Sequence, residues 1–159
     1  MARPKHLGVF YAHSATDRPS EIATQRVELE DFLKKRFLKK FGDSSPAVYV
    51  ISGRKEHRMT WRGDWEAWQK KVVTRRHSTT GDICYHMFVV PSEYCGRATA
   101  GILDNALQAE RDLFLWDRDG EKLMKVTGVQ AVDADDWTRG YRVIVNGPKN
   151  EKSNPRNLS

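Results

Sequence analysis

Asp82-Ile83-Cys84-Tyr85-His86-Met87-Phe88-Val89-Val90, closed by Pro91-Ser92, is the most strand-like run in the chain. Its second half is continuously apolar, as in a strand covered on both faces, and the Pro-Ser pair ends it. A strand of that kind needs helices above and below the sheet, and the neighbouring segments supply them. Downstream, Thr99, Ile102, Leu103, Ala106 and Leu107 lay out an amphipathic helix from Gly96 to about Glu110. The short strand Leu113-Phe114-Leu115-Trp116 follows, with the turn Asp117-Arg118-Asp119-Gly120. Upstream, Trp61, Trp65, Trp68 and Val72 share one face of a helix expected from about Thr60 to Arg76, after a basic, turn-like segment from Arg54 to Arg58.

The same alternation reaches the start of the chain. His6 to Ala12 and Ala47 to Ile51 read as buried strands. Between them, Ile22, Leu29, Leu33, Phe37 and Phe41 recur at helical spacing, with Ser20 as the expected cap and Gly42 as the stop. Lys122 to Val132 and Tyr141 to Val145 read as further strands. Strands alternating with helices predict βαβ units with parallel pairing and right-handed crossovers. The expected architecture is a single α/β domain over 1–146, Rossmann-like or flavodoxin-like, with a mainly parallel sheet flanked by helices. An antiparallel edge is expected near the C-terminus, and 147–159, rich in Pro, Asn, Ser and Lys, is expected to be a flexible polar tail.

Composition narrows the class. Apolar residues at 39% with aromatics at 10% are too many for a disordered or collagen-like chain of 159 residues. No apolar run reaches the roughly 18 residues of a membrane span, and the first residues do not read as a secretory signal. A cytoplasmic protein with no membrane partner is therefore expected. Cys84 and Cys95 lie outside any zinc-type spacing and are expected to be buried thiols; no metal or cofactor is expected. Lys and Arg outnumber Asp and Glu by 27 to 21, a net charge of +6 that favours phosphates or acidic surfaces.

In parallel sheets, ligands bind beyond the carboxyl ends of the strands. Those positions hold Tyr11, His13 and Ser14 after the first strand and Ser52, Gly53 and Arg54 after the second. Ser92, Glu93, Tyr94, Gly96 and Arg97 follow the third, with Thr99 just beyond, and Asp117 and Arg118 the fourth. Hydroxyls, cations and a carboxylate so placed suit a sugar phosphate or nucleotide. Gly96 to Thr99 opens a helix directly after a strand, so its N–H groups are expected to face an anion; the alternative is that the small residues serve close packing. Trp61 beside Arg58 and Arg62 suggests a base-stacking platform with phosphate contacts, or a helix face packed on the sheet.

Tyr11-Ala12-His13-Ser14, Val89-Val90-Pro91 with Gly96-Arg97-Ala98-Thr99-Ala100, Asp104-Asn105-Ala106 and Leu113 to Trp116 together resemble the nucleoside 2-deoxyribosyltransferase-like group of Rossmann-type proteins, with its short phage and bacterial relatives. The resemblance spans roughly Leu7 to Asp117. It implies nucleoside or nucleotide binding and N-glycosidic-bond chemistry, with a glutamate nucleophile in a Gly-x-Gly-Thr-x-x-Glu pattern. Here Gly96 and Thr99 match, Ala98 replaces the second glycine and Ile102 occupies the glutamate position. Isoleucine cannot stabilise an oxocarbenium-like transition state, so enzyme activity is left open. Glu93, on the same loop, is the substitute candidate for the catalytic acid. The leading expectation is a nucleotide- or nucleoside-binding protein with degenerate transferase chemistry. The alternative is a non-catalytic module that associates with nucleic acid or with another protein through its basic aromatic surface. A homo-oligomer is compatible with either.

Overall fold

The computed structural model describes residues 6–13 and 17–145. Ser14 and the tail expected at 147–159 lie outside the described residues. The described chain is mixed α/β, with seven strands in one sheet and four α-helices. In chain order the elements are β1 (His6–Tyr11), α1 (Pro19–Phe41), β2 (Ala47–Ser52), α2 (Gly53–Thr60), α3 (Trp65–Thr74), β3 (Met87–Val90), β4 (Tyr94–Cys95), α4 (Arg97–Gln108), β5 (Asp112–Asp117), β6 (Lys122–Ala131) and β7 (Tyr141–Val145).

The sheet order is β2-β1-β3-β5-β6-β7-β4. The first four strands pair in parallel, and the β5–β6, β6–β7 and β7–β4 pairs are antiparallel. The expected antiparallel edge is thus a full extension of the sheet. Because β1 lies between β2 and β3, the winding direction reverses there, which opens a crevice at the carboxyl ends of these strands.

Alternation along β1 divides the core in two. Val9 and Tyr11 point toward α1, where they pack with Ile22, Leu29, Leu33, Val48, Val50, Val89 and Trp116. Phe10 and Ala12 point to the other face, against Trp68, Val72 and Val73 of α3 and Ala100, Ile102, Leu103 and Ala106 of α4. Both faces of β1 and β3 are covered, as the apolar sequence of each requires.

Several boundaries differ from expectation. The run 82–86 is not strand. Gly8 N–H donates to the His86 side chain, at Nδ1, over 3.1 Å, while His86 N–H donates to the Gly8 carbonyl at 2.8 Å. The imidazole thus takes the place of a ladder carbonyl. Just before it, Cys84 N–H pairs with Arg75 at the end of α3. A Cβ on Gly8 would stand 1.7 Å from the Cys84 carbonyl oxygen, so this crossing requires glycine. Helix α1 begins at Pro19, whose fixed φ suits the first turn, and Ser20 lies inside the helix instead of capping it. The Trp stripe spans two helices, because Trp61 caps the end of α2 and Asp64 opens α3 by accepting from Ala67 N–H. Helix α4 ends at Gln108, with Glu110 at a φ of 57°. Of the two cysteines, Cys95 is buried and Cys84 only half-buried; burial raises both thiol pKa values, that of Cys95 to about 11.

Candidate ligand-binding site

The segment expected to be a basic turn after β2 is helix α2, and its formation builds the site. Ser52 caps it, its hydroxyl accepting from Lys55 N–H at 3.1 Å. The helix buries an acid. Glu56 is 1% exposed, accepts the Tyr85 hydroxyl at Oε1 and the Thr60 hydroxyl at Oε2 over 2.6 Å, and pairs with Arg75 Nε at 3.4 Å. Trp68 Nε1 in turn donates to Thr60 Oγ1 at 2.7 Å. Burial and the Glu56 contact raise the Tyr85 pKa, so its hydroxyl remains a donor. This network locks α2, α3 and the 82–86 segment together and fixes the Trp68 ring.

In front of it lies a cavity of about 180 Å³. Phe10, Ala12, Ala98 and Ile102 supply aliphatic and aromatic surface, His57, Trp65 and Trp68 form an aromatic wall, and His13, Arg54 and Thr99 contribute polar groups, with Gly53 completing the lining. His57 packs almost parallel to Trp65, with centroids 5.1 Å apart at 20°, and meets Trp68 edge-on at 5.3 Å. His57 Nε2 is buried and has no hydrogen-bond partner among the described residues. His13 is 6% exposed, and its Nε2 accepts Arg54 N–H at 3.2 Å, which leaves Nδ1 to carry the ring proton. The Thr99 hydroxyl donates to the His13 carbonyl at 3.4 Å. The ends of β1 and β2, helices α2 and α3, and the start of α4 therefore meet here.

A second cavity, of about 310 Å³, lies over the β5–β6 end and is polar, with Glu93, Asp117, Arg118 and Asp119 among its lining residues. Arg118 forks onto Glu28, its Nη2 standing 2.8 Å from Oε2, and Glu93 Oε2 lies 2.5 Å from Arg142 Nε. Asp117 Oδ1 accepts Gly120 N–H at 3.0 Å in the turn.

No family model matches this chain, and no curated protein or solved structure does either. The site's chemistry stands on its own side chains. Of the residues singled out in the sequence, His13, Gly53, Arg54 and Thr99 come together around the aromatic cavity, whereas Ser92, Glu93 and Asp117 fall in the polar one. Tyr11 is buried on the α1 side, its hydroxyl donating to Gln25 Oε1, and burial raises its pKa. Ser52 caps a helix. Arg58 and Arg97 are exposed beside the aromatic cavity without lining it, and Trp61, 36% exposed, stacks on His57 at 5.4 Å.

The start of α4 is engaged by protein. Arg97 N–H donates to the Trp137 carbonyl at 2.8 Å, and a Cβ on Gly96 would stand 2.7 Å from that same oxygen. Gly101 packs against the Gln69 side chain, whose Nε2 donates to the Ala98 carbonyl at 2.9 Å. Both glycines thus serve close approach. Among the described residues, no cluster of His, Cys, Asp or Glu is arranged to hold a metal ion, and no helix is long and apolar enough to cross a membrane.

Glu56, His57 and Trp65 are the site-forming residues that strand-end reasoning passes over. The signal for them was the ring spacing from His57 through Trp68, together with a helix cap at Ser52.

Proposed function

We propose that this chain binds a nucleotide or nucleoside, seating the base in the aromatic cavity of a flavodoxin-like, Rossmann-type scaffold, and that it acts by binding without cleaving the glycosidic bond. The observation that carries this reading is the lining itself: three rings face a small set of polar groups, and none of the lining residues is Asp or Glu. A volume near that of a benzene-binding cavity, roughly 150 Å³, accepts one ring system and leaves sugar and phosphate at the mouth. Indole and imidazole rings favour a flat heteroaromatic guest, and the unpartnered His57 Nε2 offers it a hydrogen bond.

The sequence resemblance to nucleoside deoxyribosyltransferase-like proteins supports the same reading, since Ile102, at the family's nucleophile position, lines this cavity. Glu93, the substitute acid, sits in the other cavity against Arg142, so the displaced-acid reading gains no support.

Titrating the protein with a panel of nucleosides and nucleotides while following Trp fluorescence, with mass spectrometry of the same mixtures, tests the proposal. Saturable quenching without release of free base is expected. Trp65→Ala should weaken binding by about 1–3 kcal/mol, the range for one stacked base. Absence of saturable binding across the panel, or free base accumulating with enzyme, would overturn it.

A further inference from the structure

We infer that the nucleotide taken up by the aromatic cavity belongs to a single-stranded nucleic acid, whose neighbouring phosphates are held by the cationic flank of α2 and the turn that follows it. The inference rests on the binding reading above and adds the class of ligand. Between Gly53 and Arg76 stand eight Lys and Arg against three acids, a surplus of five in a chain whose net charge is +6. The segment that supplies His57, Trp65 and Trp68 to the cavity thus carries a local excess of cations.

Of the three acids, Glu56 is buried against Arg75, Asp64 accepts from Ala67 N–H at the start of α3, and Glu66 is exposed in the first turn of that helix. Lys55 and Arg58 are exposed, lie one turn apart on α2 and take part in none of the ion pairs among the described residues. They adjoin Arg54 and His57 of the cavity lining. Beside these cations, Met59 and Trp65 are each 47% exposed. Cations interleaved with exposed rings match a strand with unstacked bases, because each nucleotide offers a phosphate to one and a π-face to the other. Duplex bases are stacked and paired and cannot enter a cavity without being flipped out. An acidic protein surface would satisfy the charge but does not repeat one anion and one flat heteroaromatic ring at every unit, as a nucleotide strand does.

Fluorescence anisotropy with labelled oligodeoxynucleotides of about a dozen nucleotides, alongside mononucleotide titrations, decides the matter. The strand should bind at least roughly tenfold tighter than its mononucleotide, with affinity falling steeply as salt rises. Lys55→Glu and Arg58→Gln should each weaken the strand by several-fold, and the pair by about tenfold or more, while mononucleotide affinity and the circular dichroism spectrum stay unchanged. Trp65→Ala should weaken both ligands. Equal affinity for strand and mononucleotide, indifference to the two charge variants, equally tight duplex binding, or equally effective competition by polyglutamate would each overturn the inference and leave the cavity reading standing. If neither mononucleotide nor strand binds, both fall together.

Discussion

The two cavities open at the same end of one sheet, yet they are built in opposite ways. The aromatic cavity is backed by a buried network in which Glu56 serves Tyr85, Thr60 and Arg75 at once, and its lining includes no acid. The polar cavity is bordered by Glu93–Arg142 and Arg118–Glu28 pairs whose side chains are 40–48% exposed. In the first, charge lies behind the wall and stiffens it; in the second, charge lies at the surface and is largely satisfied by its own partners. A preorganised, ring-lined recess is the better candidate for recognition, because little ordering remains to be done when a ligand arrives.

The widest gap should appear in stability. Glu56→Ala leaves the buried Tyr85 hydroxyl without its acceptor and Arg75 without its ion-pair partner, and should cost about 3 kcal/mol in urea denaturation. Glu93→Ala should cost at most about 1 kcal/mol, as expected for an exposed pair. Equal losses would erase the contrast. Next in size is ligand affinity: Trp65→Ala should lower it roughly tenfold or more, whereas Arg118→Ala in the polar cavity should leave it unchanged by calorimetry. A loss with Arg118→Ala would move the binding site across the sheet.

The smallest effect concerns pH. Burial, with help from Arg111, lowers the His86 pKa, and its Nδ1 accepts Gly8 N–H only while unprotonated. The unfolded chain then binds the proton more readily than the folded one. Stability from this contact is complete above the ordinary imidazole pKa of about 6.5 and declines as pH falls below it. Urea midpoints should therefore drop between neutral and mildly acidic pH, and His86→Gln should flatten part of that drop. An identical slope in the variant would remove His86 as the cause.

Much of this organisation is written openly in the chain. β1, β2 and β5, whose apolar runs are bounded by turn residues, lie close to where those patterns place them, and α1 follows its 3.6-residue periodicity. Helix α2 was hidden because the residue it buries is a glutamate, so no apolar period announces it. The 82–86 segment misleads for a different reason: Tyr85 is buried and Ile83 and Cys84 half-buried, as in a strand, but His86 substitutes a side chain for a ladder carbonyl, which no β pattern encodes. At the site, the strand-end rule brought His13, Gly53 and Thr99 forward. It pooled Glu93 and Asp117 with them because position after a strand does not say which side of the sheet a loop will turn toward.

The clamp between Trp137 and the start of α4 carries a consequence for the order in which the molecule is made. The parallel strands and α4 leave the ribosome well before residues 132–140, yet the Arg97 N–H is taken up by the Trp137 carbonyl, and the carbonyls of Trp137 and Thr138 stand closest to Gly96. The α4 rim of the recess thus stays unfinished until the β6–β7 hairpin has been synthesised and has folded back. Ribosome-stalled chains released just before and just after that hairpin should differ in protease resistance around Gly96, marking the moment at which the recess gains its full rim.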